Sequence, residues 1–339
     1  MITFVRNRSD LDGAQGELRA GGTDLQDRRR KGISTGPVVD LRDLDGRDAV
    51  TLTAEGGLSL GSGLSIQGLA DHPDVQRGWP GLAQAAGELA TPQIRARGTL
   101  GGNLLQRVRC WYYRDPGQRC LKSGGGACLA RAGEHRFHAS HDAGGACIAP
   151  HASTLAVALT AFDATVTLRG RDGTELVLTV PELLGDGRDA TRDHALPEGA
   201  FLVSVELPPP VEGERSAYFR AASRSRADWP LVEAAARLQV DDQGRVSAAR
   251  VVLGGVTNRP LDSPAAAGLV GDRAREEAFL AAGARAVPDL PTLPGAAWKA
   301  SLIAPVFAEV LLHAQAGPPA AWLPSAPAPA PTEAAPETP

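Results

Sequence analysis

The chain has 339 residues, of which 43% are hydrophobic and 22% charged, and its formal net charge is −4. This composition is typical of a globular protein and excludes a collagen-like chain or a body that is disordered throughout. It gives no sign of the strong basicity of nucleic-acid-binding proteins, and the longest apolar run, near 154–162, is far shorter than the ~18 residues of a membrane helix. We therefore expect no nucleic-acid partner and no membrane insertion.

The N-terminal third is predicted to contain short strands followed by short helices. Runs bounded by turn residues predict strands over 2–5, 38–41, 50–54 and 57–61, with a basic stretch over 28–31. Apolar spacing predicts helices over 64–70 and 81–90, the second ended by Thr91 and Pro92.

Residues 104–148 interrupt this pattern. They hold all four cysteines of the chain, many glycines and little hydrophobic periodicity. Such a segment cannot bury enough apolar surface to order itself, so we expect it to need a bound group.

Regular structure is predicted again beyond residue 152. Ser153 is a candidate N-cap for a helix over 153–164, and strands are predicted over 165–169, 176–180 and 201–207. Prolines at 208–210 suggest a boundary, after which strands over 218–222, 232–240 and 246–253 precede helices over 264–271, 273–282 and 298–313. From residue 318 onward, eight of 22 residues are proline, which predicts a disordered tail.

Two loops contain consecutive glycines. The first runs Ala20-Gly21-Gly22-Thr23-Asp24, and the second Thr99-Leu100-Gly101-Gly102-Asn103. Consecutive glycines let backbone N–H groups converge on an anion, and two such loops suit a pyrophosphate held from both sides. Neither loop matches a Walker or dinucleotide fingerprint, which disfavours a Rossmann fold.

The cysteines Cys110, Cys120, Cys128 and Cys147 follow the spacing C-x9-C-x7-C-x18-C. Structural zinc sites usually contain a C-x2-4-C knuckle, which this chain lacks, whereas long glycine-rich connections suit a [4Fe–4S] cluster. Zinc, disulfides or free thiols remain alternatives. Five basic residues beside the cysteines could offset the charge of a cluster: Arg107, Arg109, Arg114, Arg119 and Lys122. Four cysteines complete a tetrahedral site, so the nearby histidines are interpreted as loop residues outside the ligand set.

The segments 20–25, 99–103, 106–110 and 252–256 resemble, in this order, the FAD-binding subunits of molybdenum hydroxylases of the xanthine dehydrogenase family. The cysteine insertion is most similar to that of the flavin and [4Fe–4S] subunits of bacterial periplasmic aldehyde oxidoreductases. The resemblance covers roughly residues 1–314.

This resemblance implies an α+β fold. A FAD-binding domain of the para-cresol methylhydroxylase type would comprise subdomains at 1–50 and 51–207, with the iron–sulfur insertion at 104–148. A C-terminal domain at 213–314 would combine an antiparallel sheet with helices, as in CO dehydrogenase flavoproteins. Residues 315–339 would form the disordered tail.

The resemblance also implies cofactor roles. The residues expected to bind the FAD pyrophosphate are Ala20, Gly21, Gly22, Thr23, Asp24, Leu25, Thr99, Gly101, Gly102 and Asn103, with Thr99 and Asn103 as side-chain donors. Arg220 would lie near the flavin, and Thr154 stands where the family has an aspartate that contacts the adenosine part of FAD. The four cysteines would be the ligands of the [4Fe–4S] cluster, and no residue of this chain is expected to be catalytic.

The function implied is that of an electron-transfer subunit in a heterotrimeric, molybdenum-dependent aldehyde oxidoreductase. A large partner with the molybdenum cofactor would oxidise the substrate, and a small [2Fe–2S] partner would pass electrons to FAD here and on to an external acceptor. A reductase of the UDP-N-acetylmuramate dehydrogenase type would not explain the cysteines, and a zinc-stabilised binding module would not need two glycine loops. The absence of a signal segment predicts a cytoplasmic location; co-export with a signal-bearing partner would instead place the chain in the periplasm.

Overall fold

The computed structural model of the chain describes residues 1–225 and 227–317, and within them the backbone forms three β-sheets. The first sheet is parallel, with the order β1-β3-β2, and consists of β1 (Ile2–Phe4), β2 (Glu17–Arg19) and β3 (Val38–Asp40). Its small core contains Val5, Leu11, Val39, Leu44 and Phe201. Phe201 comes from a strand of the second sheet, so the two sheets share this core.

The second sheet is antiparallel and has the order β4-β5-β8-β6-β7. Its strands are β4 (Val50–Leu52), β5 (Leu58–Gly61), β6 (Thr165–Arg169), β7 (Glu175–Thr179) and β8 (Phe201–Leu207). The chain between β5 and β6 supplies a layer of short helices and the cysteine insertion. These helices bury the largest hydrophobic core of the molecule against the sheet.

The helices up to the insertion are α1 (Leu25–Arg30), α2 (Ile66–Asp71), α3 (Pro73–Gly78), α4 (Pro80–Glu88), α5 (Pro92–Arg97) and α6 (Leu100–Leu104). The insertion contains α7 (Trp111–Arg114), a 3₁₀ turn (Leu121–Ser123) and α8 (Leu129–Ala132). Beyond it lie α9 (Thr154–Ala161) and α10 (Val180–Leu184). The hydroxyl of Ser153 accepts a hydrogen bond from the backbone of Ala156 at 2.9 Å, which confirms Ser153 as the cap of α9.

The third sheet is antiparallel, with the order β12-β11-β10-β9. Its strands are β9 (Arg215–Ala221), β10 (Val232–Val240), β11 (Val246–Gly254) and β12 (Leu261–Asp262). One face is covered by α12 (Glu276–Gly283) and α13 (Ile303–Ala316), while α11 (Pro264–Ala267) contacts β11 and a 3₁₀ segment (Pro294–Leu302) precedes α13. The other face contacts α4 and α9, so the third sheet packs onto the helices of the second.

The α+β fold class predicted from the sequence is confirmed by this arrangement. The predicted strands over 165–169, 201–207 and 232–240 coincide with β6, β8 and β10. The basic stretch over 28–31, however, contributes to α1, and Thr91 caps a helix, α5, that was not predicted. The predicted tail lies outside the described residues from 318 onward, and residues 315 and 316 belong to α13.

The helical stretch Pro294–Ala316 is long and apolar enough to cross a membrane by length and composition alone. Its apolar residues Val306, Phe307, Val310 and Leu311 are nevertheless buried in the core beneath the third sheet. In this fold the stretch is therefore a core element of the C-terminal unit.

Candidate functional site

A cleft with about 860 Å³ of empty volume lies where the two glycine loops meet the third sheet. Six of the predicted site residues line it: Thr23, Asp24, Gly102, Asn103, Thr154 and Arg220. Apolar side chains from α2 and α5 and the segment 227–230 complete much of the wall. The fold thus brings together residues that are up to 197 positions apart in the sequence.

The first glycine loop fits tightly against the end of α5. A Cβ atom at Gly21 would lie 1.8 Å from the carbonyl oxygen of Arg97, so no larger residue can occupy this position unless the backbone shifts. Gly22 has φ +75°, a conformation that L side chains rarely adopt. Neither glycine lines the cleft, as is also true of Ala20 and Leu25, and together they set the path of the backbone that presents Thr23 and Asp24.

The second loop forms the first turn of α6. The hydroxyl of Thr99 accepts a hydrogen bond from the backbone of Gly102 at 3.1 Å, and therefore caps the helix. Thr99 is buried and does not line the cleft, nor does Gly101, so a role for Thr99 as a donor to a ligand in the cleft stays a prediction. Asn103 lines the cleft, and its Oδ1 accepts a hydrogen bond of 2.6 Å from the hydroxyl of Ser153.

Asp24 ties the first loop to the cysteine insertion. Its carboxylate lies 2.6 Å from Nη2 of Arg114 and 3.2 Å from Nη2 of Arg109, and it also pairs with Arg28 at 3.0 Å. Burial alone would raise the pKa of Asp24, but these positive charges outweigh it and hold the pKa below its usual value. Asp24 is therefore an ionised structural anchor as well as part of the cleft wall.

Two arginines carry unused hydrogen-bond donors at the cleft. The Nε atoms of Arg109 and Arg220 are buried and have no hydrogen-bond partner among the described residues. The guanidinium of Arg109 lies 4.7 Å above the ring of Trp229, and Nη1 of Arg220 donates to the carbonyl of Glu88 at 3.1 Å. Buried donors without partners at a cationic wall favour an anionic ligand.

Arg109 has a position that the sequence analysis does not predict. Its side chain lines the cleft, whereas the next residue, Cys110, lines the cysteine cavity, and the role of Arg109 in offsetting the charge of a cluster stays a prediction. Its position depends on the turn that precedes α7, for which the sequence offers no local signal.

A buried carboxylate that the sequence analysis did not identify lies behind Thr154. Oε2 of Glu233 accepts hydrogen bonds from the hydroxyls of Thr154 at 2.8 Å and Tyr218 at 2.6 Å. Glu233 is only 3% exposed, and burial raises its pKa. Thr154, which stands where the resemblance implies an aspartate, thus donates a hydrogen bond to the carboxylate of Glu233 on β10. The sequence does not predict this contact, because it joins a helix and a strand that are distant along the chain.

The four cysteines converge on a second, smaller cavity. All four are free thiols, and the wall between them is mainly apolar, formed by residues such as Val108, Leu121 and Leu129. Across residues 1–225 and 227–317, no three His, Cys, Asp or Glu side chains are close enough together to hold a single metal ion. A four-iron cluster does not require that spacing, because each cysteine sulfur binds a different iron.

The cavity disfavours an uncompensated negative charge. Burial raises the pKa of Cys110 to about 11 and also raises the pKa of Cys147. Thiolates in this cavity therefore need a metal to share their charge. Lys122 lines the cavity and forms an ion pair of 2.7 Å with Asp193, which also pairs with Arg107.

Of the four histidines near the cysteines, His138 has a direct contact with one of them. Its Nε2 lies 3.1 Å from the sulfur of Cys110, and burial lowers its pKa to about 4. His138 does not line the cavity. His135, in contrast, accepts a hydrogen bond from the backbone of Gly295 at 3.0 Å.

The chain is similar to known proteins over most of its length. Residues 7–210 match the family described as the FAD binding domain in molybdopterin dehydrogenase, and residues 217–313 match the CO dehydrogenase flavoprotein C-terminal domain. The chain is 36% identical over 273 residues to the aldehyde oxidoreductase FAD-binding subunit PaoB of Escherichia coli K12, covering 80% of each chain. It is 26% identical to a xanthine dehydrogenase FAD-binding subunit of Escherichia coli O157:H7, over 74% of this chain and 70% of that protein.

Solved structures share the fold. Quinoline 2-oxidoreductase from Pseudomonas putida 86 superposes with a TM-score of 0.71 at 22% identity, over 92% of this chain and 95% of that chain. Carbon monoxide dehydrogenase from Hydrogenophaga pseudoflava gives a TM-score of 0.70 at 21% identity, over 93% and 96% of the two chains.

Proposed function

The chain belongs to the family of FAD-binding domains in molybdopterin dehydrogenases, and we propose that it is the flavin- and [4Fe–4S]-containing electron-transfer subunit of a molybdenum-dependent aldehyde oxidoreductase. The observation that carries this proposal is the adjacency of two cavities. Arg109 lines the cleft with the glycine loops, and the next residue, Cys110, lines the cavity with the four thiols.

The chemistry of the cleft wall suits FAD. Gly102 of the second glycine loop lines the cleft, where the lack of a side chain lets the backbone approach a pyrophosphate closely, and Arg109 and Arg220 offer buried donors without partners to an anion. Thr23, Asn103 and Thr154 add polar side chains along the same wall. When bound, FAD would supply the capacity to take up electrons and pass them on, and the protein's part is to bind, orient and shield it.

The cysteine cavity has the ligands that an iron–sulfur cluster requires. Four soft sulfur ligands surround one apolar cavity, and the connections between them contain no zinc knuckle. Lys122 at the wall and Arg107 behind it place positive charge near thiolates that burial alone would keep protonated. The cluster would also order a segment whose apolar side chains lie in two small cores that are shared with residues such as Leu293 and Ala296.

The partners proposed are a large subunit with the molybdenum cofactor and a small [2Fe–2S] subunit, with an external acceptor that takes electrons from FAD. The support is that similar proteins are named as FAD-binding subunits of aldehyde oxidoreductase and of xanthine dehydrogenase. We further propose a cytoplasmic location, or a periplasmic one when the chain is exported together with a partner.

The test is to measure the flavin content, the iron content and the absorption spectrum of the full-length chain. The chain is produced together with its partners and then purified away from them. We expect one flavin and about four irons per chain, with flavin bands above a broad iron–sulfur shoulder. Cys120→Ser should lose the cluster and lower the melting temperature, because the insertion has little else to order it. Zinc in place of iron, or a Cys120→Ser variant with normal iron content, would contradict the cluster assignment.

A further inference from the structure

The sulfur of Cys110 lies close to several hydrogen-bond donors. It accepts bonds from the backbone N–H groups of Tyr112 and Tyr113 and faces Nε2 of His138 at 3.1 Å. The hydroxyl of Ser123 donates to the sulfur of Cys120 at 3.6 Å. Cys110 therefore has a histidine ring nitrogen within hydrogen-bonding distance in addition to its backbone donors.

The ring of His138 contacts one aromatic side chain, and its backbone is held by two hydrogen bonds. Trp111 packs edge-on against the ring at a centroid distance of 4.8 Å. The buried ammonium of Lys299 donates to the carbonyl of His138 at 2.8 Å, and the backbone N–H of His138 donates to the carbonyl of His135 at 2.9 Å. The insertion and the C-terminal unit together thus hold the backbone from which the ring extends toward Cys110.

The surroundings also decide which ring nitrogen carries the proton. His138 is 2% exposed, and its Nδ1 is buried with no hydrogen-bond partner among the described residues. Burying an N–H group without an acceptor is costly, and of the two ring nitrogens Nε2 is the one that faces an acceptor, the Cys110 sulfur. The ring lies behind Cys110 and outside the cavity wall, so it is a donor to the sulfur and does not compete as a ligand.

We propose that His138 is a positioning residue that donates a hydrogen bond from Nε2 to the Cys110 thiolate, and so orients this ligand and raises the reduction potential of the cluster. The inference rests on the proposed function, because it requires a cluster in the cavity. An N–H dipole directed at a ligand sulfur stabilises the reduced cluster, which carries one more negative charge, more than the oxidised one.

Two variants distinguish the loss of the hydrogen-bond donor at position 138 from the loss of side-chain packing there. His138→Gln keeps an N–H donor at a comparable reach from the backbone, whereas His138→Leu keeps the bulk and removes the donor. Each is compared with the unaltered full chain by iron content, flavin content and a potentiometric titration of the cluster followed by electron paramagnetic resonance. We expect His138→Leu to keep its flavin and to show a lower midpoint potential, and His138→Gln to restore most of the difference. A surface control, His313→Leu, should leave the potential unchanged, since its side chain is 52% exposed on α13.

Each outcome decides the question. Equal potentials in all three proteins with full iron content would overturn the inference and leave the proposed function intact. Iron loss in His138→Leu alone would support the orienting role, while equal iron loss in both variants would show a merely structural role and overturn it. If the unaltered chain contains no iron, the proposed [4Fe–4S] cluster is refuted. Metal analysis of the unaltered chain therefore tests the proposed function independently of the role of His138.

Discussion

At the scale of single residues, Gly21 defines how closely the first loop approaches α5. A methyl group there would lie 1.8 Å from the carbonyl of Arg97, a distance that forces the backbone to move. Since this loop presents Thr23 and Asp24 to the cleft, a shift in its backbone changes the shape of the binding wall.

Gly21→Ala should therefore lose bound FAD and destabilise the protein by about 1–3 kcal/mol, the usual cost of overpacking. The control is Gly36→Ala, because nothing lies within 4 Å of the added Cβ and Gly36 is not among the glycines with positive φ. Flavin absorbance per chain and the melting temperature measure both effects. Full flavin content in Gly21→Ala would show that the loop is not part of the binding wall.

What the sequence predicts at this scale depends on whether a signal is local. The glycine loops and the cysteine site can be predicted because the residues that form each of them lie close together in the sequence. Glu233 was not found, because its role comes from hydrogen bonds to Thr154 on a helix and Tyr218 on the adjacent strand. The sequence places Arg109 beside the cysteines but does not reveal that its side chain lines the cleft, because the direction of a loop side chain depends on the fold.

At the scale of elements, the contact between α7 and the first loop joins the insertion to the cleft. Arg114, 7% exposed, donates to Asp24 at 2.6 Å, to the carbonyl of Arg107 at 2.9 Å and to that of Val108 at 2.9 Å. This side chain is the main polar contact of α7 with the loop that follows β2.

Arg114→Met should lower the free energy of unfolding by about 1–3 kcal/mol, because two carbonyls lose a buried hydrogen-bond donor. Asp24 loses one of its arginine partners but keeps Arg28 and Arg109. Arg77→Met is the matched control: its ion pair with Asp74 is exposed, so the change should stay below about 1 kcal/mol. Urea unfolding of the two variants and the unaltered chain gives the comparison. Equal, small effects would mean that Arg114 does not hold the two elements together.

Elements were predictable from the sequence where a hydrophobic period extended over enough residues. The strands β6, β8 and β10 have such patterns, whereas α9 is recognised by its continuous apolar run and its Ser153 cap. The short helices α1, α5 and α6 have five or six residues, too few for a period to show. Two of them, α5 and α6, begin at a capping threonine followed by Pro or Leu. The sequence analysis predicts that Thr91 and Pro92 end a helix, and this is wrong, because the two residues begin α5.

At the scale of the whole molecule, Lys299 connects the C-terminal unit to the insertion. Its ammonium is 1% exposed and donates to the carbonyls of His138 and Gly255, each at 2.8 Å. Burial lowers its pKa from 10.5 to about 8. Below about pH 8 both folded and unfolded chains hold this proton; between pH 8 and 10.5 only the unfolded chain does, so the contribution of Lys299 to stability increases with pH.

Lys299→Met removes this titration. The stability of the unaltered chain relative to the variant should increase from pH 8 to 10.5 by up to about 3 kcal/mol, because each unit of pKa corresponds to about 1.4 kcal/mol. Urea unfolding of both proteins at several pH values in this range provides the test, and titrations common to the two cancel in the difference. A difference that stays constant with pH would contradict a buried, shifted lysine.

Because Arg109 and Cys110 are consecutive residues that line different cavities, the insertion cannot be deleted or grafted into another chain without changing the cleft. Gln106 and Arg109 belong to the segment that leads into the insertion, yet both line the cleft. A deletion of residues 104–148 would therefore remove part of the cleft wall together with the thiols, and a graft into a related chain would have to carry the partners of Arg114 and Lys122 as well. The insertion is not a detachable module: its length and its sequence are constrained by the cleft as much as by the cavity it encloses.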